Sequence, residues 1–430
     1  MMGRRPMSIV TSFRQQVLVP LRENGPLLMV CVATGVIMLG QGVIAPVLPL
    51  YAKDFGVSAA MIGASISVFG FARMLLNLPA GMLSDRFGRR LLLVAGPAIT
   101  AVGSILSAFA GDIWQLLAFR FVAGAGSAMF MTGAITLVTD ISTPENRGRM
   151  LGLYQGSLLL GVSIGPAIGG LTAELINLRA PFVVVGALAA GCAVWALRAM
   201  PETHPAPQPE PASGTAPAGG ATMLALRPLF TNVGFTLVSL VTFAIFFTRT
   251  GARQTILPLL GDERLGITAG GLGAVFAMMA LINLVAIGPA GAAADRFGRK
   301  RVIVPFAFVT AGALVMFALT HDLTLFLVAA VVQAIGTGLM GPAPAAYAAD
   351  VIAPEARGVG MGLYRTYSDV GFVVGPPLLG FIADASGGYG WPLLFTAMLV
   401  AGSAAVFGVA APETAGRRVE KVPEAVAAET

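Results

Sequence analysis

Charge is rare in this chain, and its placement is the first thing to explain. Five arginines, Arg73, Arg120, Arg249, Arg253 and Arg365, and one carboxylate, Asp369, stand inside long apolar runs. A charge at the centre of a lipid bilayer costs about 2.5–3.5 kcal/mol on insertion scales, so each such residue is a candidate for pairing, ligand binding or proton transfer. Arg365 and Asp369 are four apart, as are Arg249 and Arg253, so each pair shares one face of a helix. Asp369 is the carboxylate best placed to carry a proton, because burial and a nearby arginine pull its proton affinity in opposite directions. A static Arg365–Asp369 ion pair is the other reading. Glu174 and Asp384, the next candidates for proton coupling, lie near helix ends, and both histidines, His204 and His321, fall in expected loops. Arg249 and Arg253, with Gln41 and Tyr364, are the candidates for a substrate cavity. The excess of arginine over Asp369 in the second half favours neutral or anionic compounds over lipophilic cations.

The elements that position these residues follow from composition. Of 430 residues, 56% are hydrophobic and only 11% charged, against about 25% charged in a soluble domain. That leaves too little polar surface to face water all round. Runs long enough to cross a bilayer, about 20 apolar residues each, occur near 28–50, 58–80, 91–110, 114–138, 150–173, 180–199, 233–257, 269–291, 302–320, 323–347, 360–383 and 390–411. The 54 glycines and 28 prolines suit membrane helices, where small residues allow close packing. An even number of spans puts both ends on one side. The loops on that side hold most of the 27 lysines and arginines, and the opposite loops hold only Lys53, Arg179 and Arg264. Positive residues stay inside, so both termini are expected in the cytoplasm. The basic balance is thus a topology signal, and a nucleic-acid partner is not expected.

The chain also repeats itself at an offset of 210 residues. Gly81-Met-Leu-Ser-Asp85-Arg86-Phe-Gly88-Arg89-Arg90 returns as Gly291-Ala-Ala-Ala-Asp295-Arg296-Phe-Gly298-Arg299-Lys300. Asp140, Pro144, Glu145 and Arg147 map onto Asp350, Pro354, Glu355 and Arg357. Tyr154 maps onto Tyr364, and Glu174 onto Asp384. Gly161, Gly165, Pro166 and Gly170 map onto Gly371, Gly375, Pro376 and Gly380. The expected architecture is an all-α membrane protein of twelve transmembrane helices in two pseudo-symmetric six-helix bundles, with a site between them near mid-membrane. The divisions expected are an N-terminal tail (1–25), a first bundle (26–199), a Pro/Ala-rich linker (200–227), a second bundle (228–412) and a tail (413–430).

The repeated decapeptide resembles the loop between the second and third helices of the major facilitator superfamily, and its copy resembles the equivalent loop between the eighth and ninth. In that family the loop takes part in gating. The resemblance implies that Asp85 meets the N-terminus of the eleventh helix and that Arg89 reaches Asp140, with Asp295, Arg299 and Asp350 as counterparts. Simple pinning of loops is the alternative. Gly161, Gly165, Pro166, Gly169 and Gly170 look like the antiporter motif of drug–proton exchangers, expected where the fifth and eighth helices meet. Arg120, followed by Gly124 and Gly126, is similar to the family's fourth-helix motif, whose arginine is implicated in proton transfer. Bonding to a backbone carbonyl is its alternative. The first helix lacks the acid that several relatives of this type use, and Gln41 is its only strongly polar side chain.

Other functions are disfavoured. The three lysines, Lys53, Lys300 and Lys421, stand in no nucleotide-binding context. Cys31 and Cys192 are read as packing residues, and no metal site, catalytic residue or cofactor is expected. The resulting expectation is a monomeric secondary transporter in the lipid bilayer, in a bacterial inner membrane, that exports small organic molecules in exchange for protons. Proton-linked uptake of a small organic anion is the alternative, and a non-transporting receptor on the same fold is the remote one.

Overall fold

The structure is a computed structural model, and it describes residues 24–143, 145–200, 229, 231–353 and 356–414. The expected linker and both tails lie almost wholly outside the described residues, as do Pro144, Pro354, Glu355 and His204. Twelve helices are long and apolar enough to span a membrane: α1 Gly25–Ile44, α2 Ala59–Phe87, α3 Arg89–Ala108, α4 Ile113–Asp140, α5 Arg147–Leu175, α6 Ala180–Ala199, α7 Val233–Leu265, α8 Ala269–Phe297, α9 Arg299–Ala318, α10 Leu323–Val351, α11 Arg357–Ser386 and α12 Gly390–Ala410. Pro46 follows the end of α1, and a further turn, Leu48–Lys53, resumes beyond it. α10 breaks at Gly341 and Pro342.

Helix starts repeat with the sequence. Ser58 and Thr268 cap α2 and α8 by accepting from Met61 N and Gly271 N. Asp112 and Asp322 cap α4 and α10 by accepting from Gln115 N and Leu325 N. Each such cap contributes about 1 kcal/mol.

Close packing of small residues builds each bundle and joins the two. Cβ atoms built on Gly161, Gly165 and Gly169 of α5 would strike α1 backbone at Gly35, Leu39 and Val43. The equivalent Gly371 and Gly375 of α11 press on α7 at Phe243 and Phe247. Across the bundles, Gly170 of α5 meets Gly273 of α8, and Gly380 of α11 meets Ala59 of α2. Three glycines of the expected antiporter motif therefore pack inside the first bundle, while Gly170 and the Pro166 backbone stand at the α5–α8 junction against Gly273. A helix face presents residues four apart to one neighbour, so an exact four-residue spacing commits all three to α1.

One face of the molecule is closed. Lys53 Nζ bonds Asp262 at 2.7 Å and Glu263 at 3.1 Å. Partial burial disfavours the ammonium, but these two carboxylates outweigh it and raise its pKa. Asp384, ending α11, accepts from Ala59 N and Ala60 N at the start of α2, at 2.8 and 3.0 Å. Its repeat partner Glu174, ending α5, accepts from Thr268 Oγ1 at the start of α8, at 3.0 Å. Two helix N-termini are thus latched by carboxylates from the opposite bundle, a pairing that their dipoles favour.

The other face is open. Here a Cβ on Gly81 of α2, Gly152 and Gly156 of α5, Gly288 and Gly291 of α8 or Gly362 of α11 would meet nothing within 4 Å, in contrast to the tight glycine contacts of the closed face. The repeated decapeptides lie on this face. The first is no loop: Gly81 to Phe87 are the last turns of α2, and α3 starts at Arg89. Gly88 turns the chain alone at φ +88°, and Gly298 does so at φ +105°, in the region that L side chains avoid. No close approach explains Gly81, since a Cβ there would meet nothing within 4 Å.

Candidate functional site

The site begins with a distortion in α7. Residues Thr248–Ile256 wind as a π-helix, and Thr255 Oγ1 donates to the Thr250 carbonyl at 2.9 Å. Such segments recur at functional sites because they redirect side chains. At its centre Gly251 lies against the backbone of Gly375. The segment brings Arg249, Arg253 and Gln254 to a cavity of about 430 Å³ between the two bundles. Gln41, Val162 and Pro166 of α1 and α5 form one wall, and α7, α8 and α10 form the other. No carboxylate stands among the described residues that line it. Both arginines are instead braced by aromatic rings. Arg249 lies 5.9 Å from the centre of Phe246, and Arg253 lies 5.5 Å from that of Phe276.

Neutral polar groups complete the wall, and the charge-based reading missed them. Asn283 Oδ1 accepts from Thr337 Oγ1 at 3.0 Å. Gln333 is 1% exposed, yet both amide atoms lack a hydrogen-bond partner. Its position in an apolar run is the signal that would have found it: a buried amide without a partner is costly unless a ligand or water completes it. Tyr364, expected in this wall, is instead buried, and Thr242 Oγ1 donates to its hydroxyl at 2.7 Å. It ties α11 to α7.

Arg120 lines a smaller chamber beside the cavity. Its guanidinium stacks 4.7 Å from the centre of Phe69 on α2, and its Nε has no partner. The expected Arg365–Asp369 pair is not formed. Asp369 is half-buried, Arg365 is exposed, and no ion pair joins them among the described residues. The open face lets the long Arg365 side chain solvate. Asp369 also lies in the field of Arg73 from α2, whose buried Nε has no partner. Glu174 is remote from the cavity, in its latch on the closed face.

The motif charges form two matching clusters on the open face. Arg89 Nε bonds Asp140 at 2.8 Å, and its Nη1 reaches the Ser84 carbonyl at 3.0 Å. Asp85 touches the same guanidinium at 3.4 Å but is 76% exposed. Arg299 repeats this with Asp350 at 3.0 Å and Asp295 at 3.1 Å. Arg86 stacks over Phe87. Among the described residues, the expected contact of Asp85 with the start of α11 is not made; its ion pair is with Arg89.

A cavity between two six-helix bundles, closed at one face and open at the other, defines a membrane transporter. The sequence model of the Major Facilitator Superfamily matches residues 30–263 and 240–428, and the chain belongs to that family. It is similar to Multidrug resistance protein 1 of Bacillus subtilis (strain 168), 24% identical over 84% of this chain and 90% of that one. Similarity extends to Quinolone resistance protein NorA of Staphylococcus aureus (strain COL), 26% identical over 81% and 87%. A bacterial homolog of the human lysosomal transporter Spinster, in an inward-facing and unoccupied conformation, shares the fold with a TM-score of 0.78 at 18% identity, covering 90% of this chain and 96% of that one.

Proposed function

We propose that this protein exports small organic molecules, neutral or anionic, in exchange for protons by alternating access. The observation that carries the reading is the cavity itself: about 430 Å³, mostly apolar, with Arg249 and Arg253 as its only charges among the described residues. The positive residues crowd the open face, so this face is the cytoplasmic one, in a bacterial inner membrane, and the structure is inward-facing. In that state the cavity collects substrate from the cell interior. The relatives named for drug resistance support the outward direction.

Asp369 is the proposed proton site. It is the one carboxylate at mid-helix, and Arg73 and Arg365 approach it from two helices. Exchange requires Asp369 to release its proton to the cytoplasm while this face is open, and to take one up from outside after the opposite face has opened. The Arg89–Asp140 and Arg299–Asp350 clusters hold the helix ends that must move, and Asp85 engages α11 only in the closed state.

Cells expressing the protein test the direction. Export lowers intracellular substrate and raises resistance to it. Raised intracellular substrate supports the second reading, proton-linked uptake of an organic anion, which the acid-free arginine cavity also suits.

A further inference from the structure

Among the described residues neither Arg120 nor Arg249 has a carboxylate partner, although both line one chamber of about 60 Å³ beside the main cavity. Arg120 belongs to the first bundle and Arg249 to the second. Three more observations converge there. Arg120 is only 7% exposed and Ser127 only 1%. Arg120 Nε, Ser127 Oγ and Gln41 Nε2 are all buried without a hydrogen-bond partner. Gln254, on the π-helical turn that carries Arg249, closes the chamber from the other side. Two of the three orphaned atoms can only donate, and the third can donate. A buried cation without a counter-ion is costly unless an anion completes it.

We propose that this chamber binds a compact monoanion, held by Arg120, Ser127 and Gln41 from one bundle and by Arg249 and Gln254 from the other. Its volume admits an inorganic monoanion or the carboxylate end of an organic compound whose body lies in the adjoining cavity. The anion neutralises one arginine from each bundle and so ties the bundles at mid-membrane. This deepens the reading of the cavity as one for neutral or anionic compounds, and binding to purified protein tests it without any transport.

The experiment is thermal unfolding of the purified full chain in detergent at fixed ionic strength. Potassium sulfate, whose anion is neither compact nor monovalent, is replaced stepwise by chloride, nitrate, acetate or benzoate. Wild type should be stabilised saturably by the small anions. Arg120→Gln and Arg249→Gln should each raise the half-saturating concentration at least tenfold, while Arg120→Lys, which keeps the charge, should lose less. The unfolding temperature of each variant in sulfate alone separates lost binding from lost fold. If benzoate binds at least tenfold more tightly than acetate, the anion is the head of an organic substrate. Equal affinity shows that the carboxylate alone is recognised, and tighter binding of chloride or nitrate than of acetate assigns the site to free inorganic anions. A linear response that is the same in wild type and both glutamine variants overturns the proposal. So does loss in Arg249→Gln with full retention in Arg120→Gln, which would put the anion in the main cavity alone.

Discussion

Single side chains divide into those held and those poised. Arg89 is held: it is 5% exposed and Asp140 is its close carboxylate, so Asp140→Asn leaves a buried cation uncompensated. Asp85 is largely exposed, and exposed pairs contribute only about 0–1 kcal/mol. Asp140→Asn should therefore lower the melting temperature by several degrees and Asp85→Asn by little, as read by thermal unfolding in detergent. Asp369 is poised. Asp369→Asn should still exchange substrate downhill but fail to concentrate it, and the two assays run side by side in proteoliposomes check this. Uphill transport by the variant with normal pH dependence would remove Asp369 from the coupling site. Arg249→Ala should weaken anionic ligands at least tenfold more than neutral ones; equal losses would make Arg249 a structural partner only. The charged candidates were visible from sequence because charge inside an apolar run is conspicuous. Gln333, Asn283 and Gln254 gave a weaker form of the same signal, an amide inside an apolar run, and only their surroundings show that they line the cavity.

Helices set which of these residues meet. The four-residue glycine spacing of α5 showed a packing face but not its partner, and only the structure assigns Gly161, Gly165 and Gly169 to α1. A Cβ at Gly169 meets the Val43 carbonyl, which a backbone cannot easily yield. Gly169→Ala should destabilise by about 1–3 kcal/mol through overpacking, whereas Gly152→Ala, with nothing within 4 Å, should not; unfolding temperatures of both variants check the contrast. The π-helical turn of α7 was equally hidden, because its polar residues fit an α-helical face as well as a π-helical one. The decapeptide read as a loop became helix, because Asp85 and Arg89 are one turn apart and satisfy each other while Gly88 alone makes the bend. The latches at Asp384 and Glu174 predict a shift in conformation. Asp384→Ala with Glu174→Ala should free the closed face and raise the accessibility of a cysteine placed below it. Unchanged labelling would mean that glycine packing and the Lys53 ion pairs hold that face shut without the latches.

For the molecule as a whole, the duplication told most. One offset carried the caps, the motif clusters, the glycine faces and the carboxylate latches from the first bundle to the second, so the two-bundle fold was legible before any coordinates. What the offset could not convey is the state of the machine, because the same residues serve both faces and only their distances say which is shut. Exchange of substrate for protons across alternating faces is tested by proteoliposomes with an imposed pH gradient, whatever the orientation of the protein. With an acidic lumen, the substrate should accumulate inside, up to about tenfold per pH unit for one proton exchanged, and an uncoupler should abolish it. Accumulation in an alkaline lumen instead, or mere equilibration under both gradients, would contradict proton-driven export.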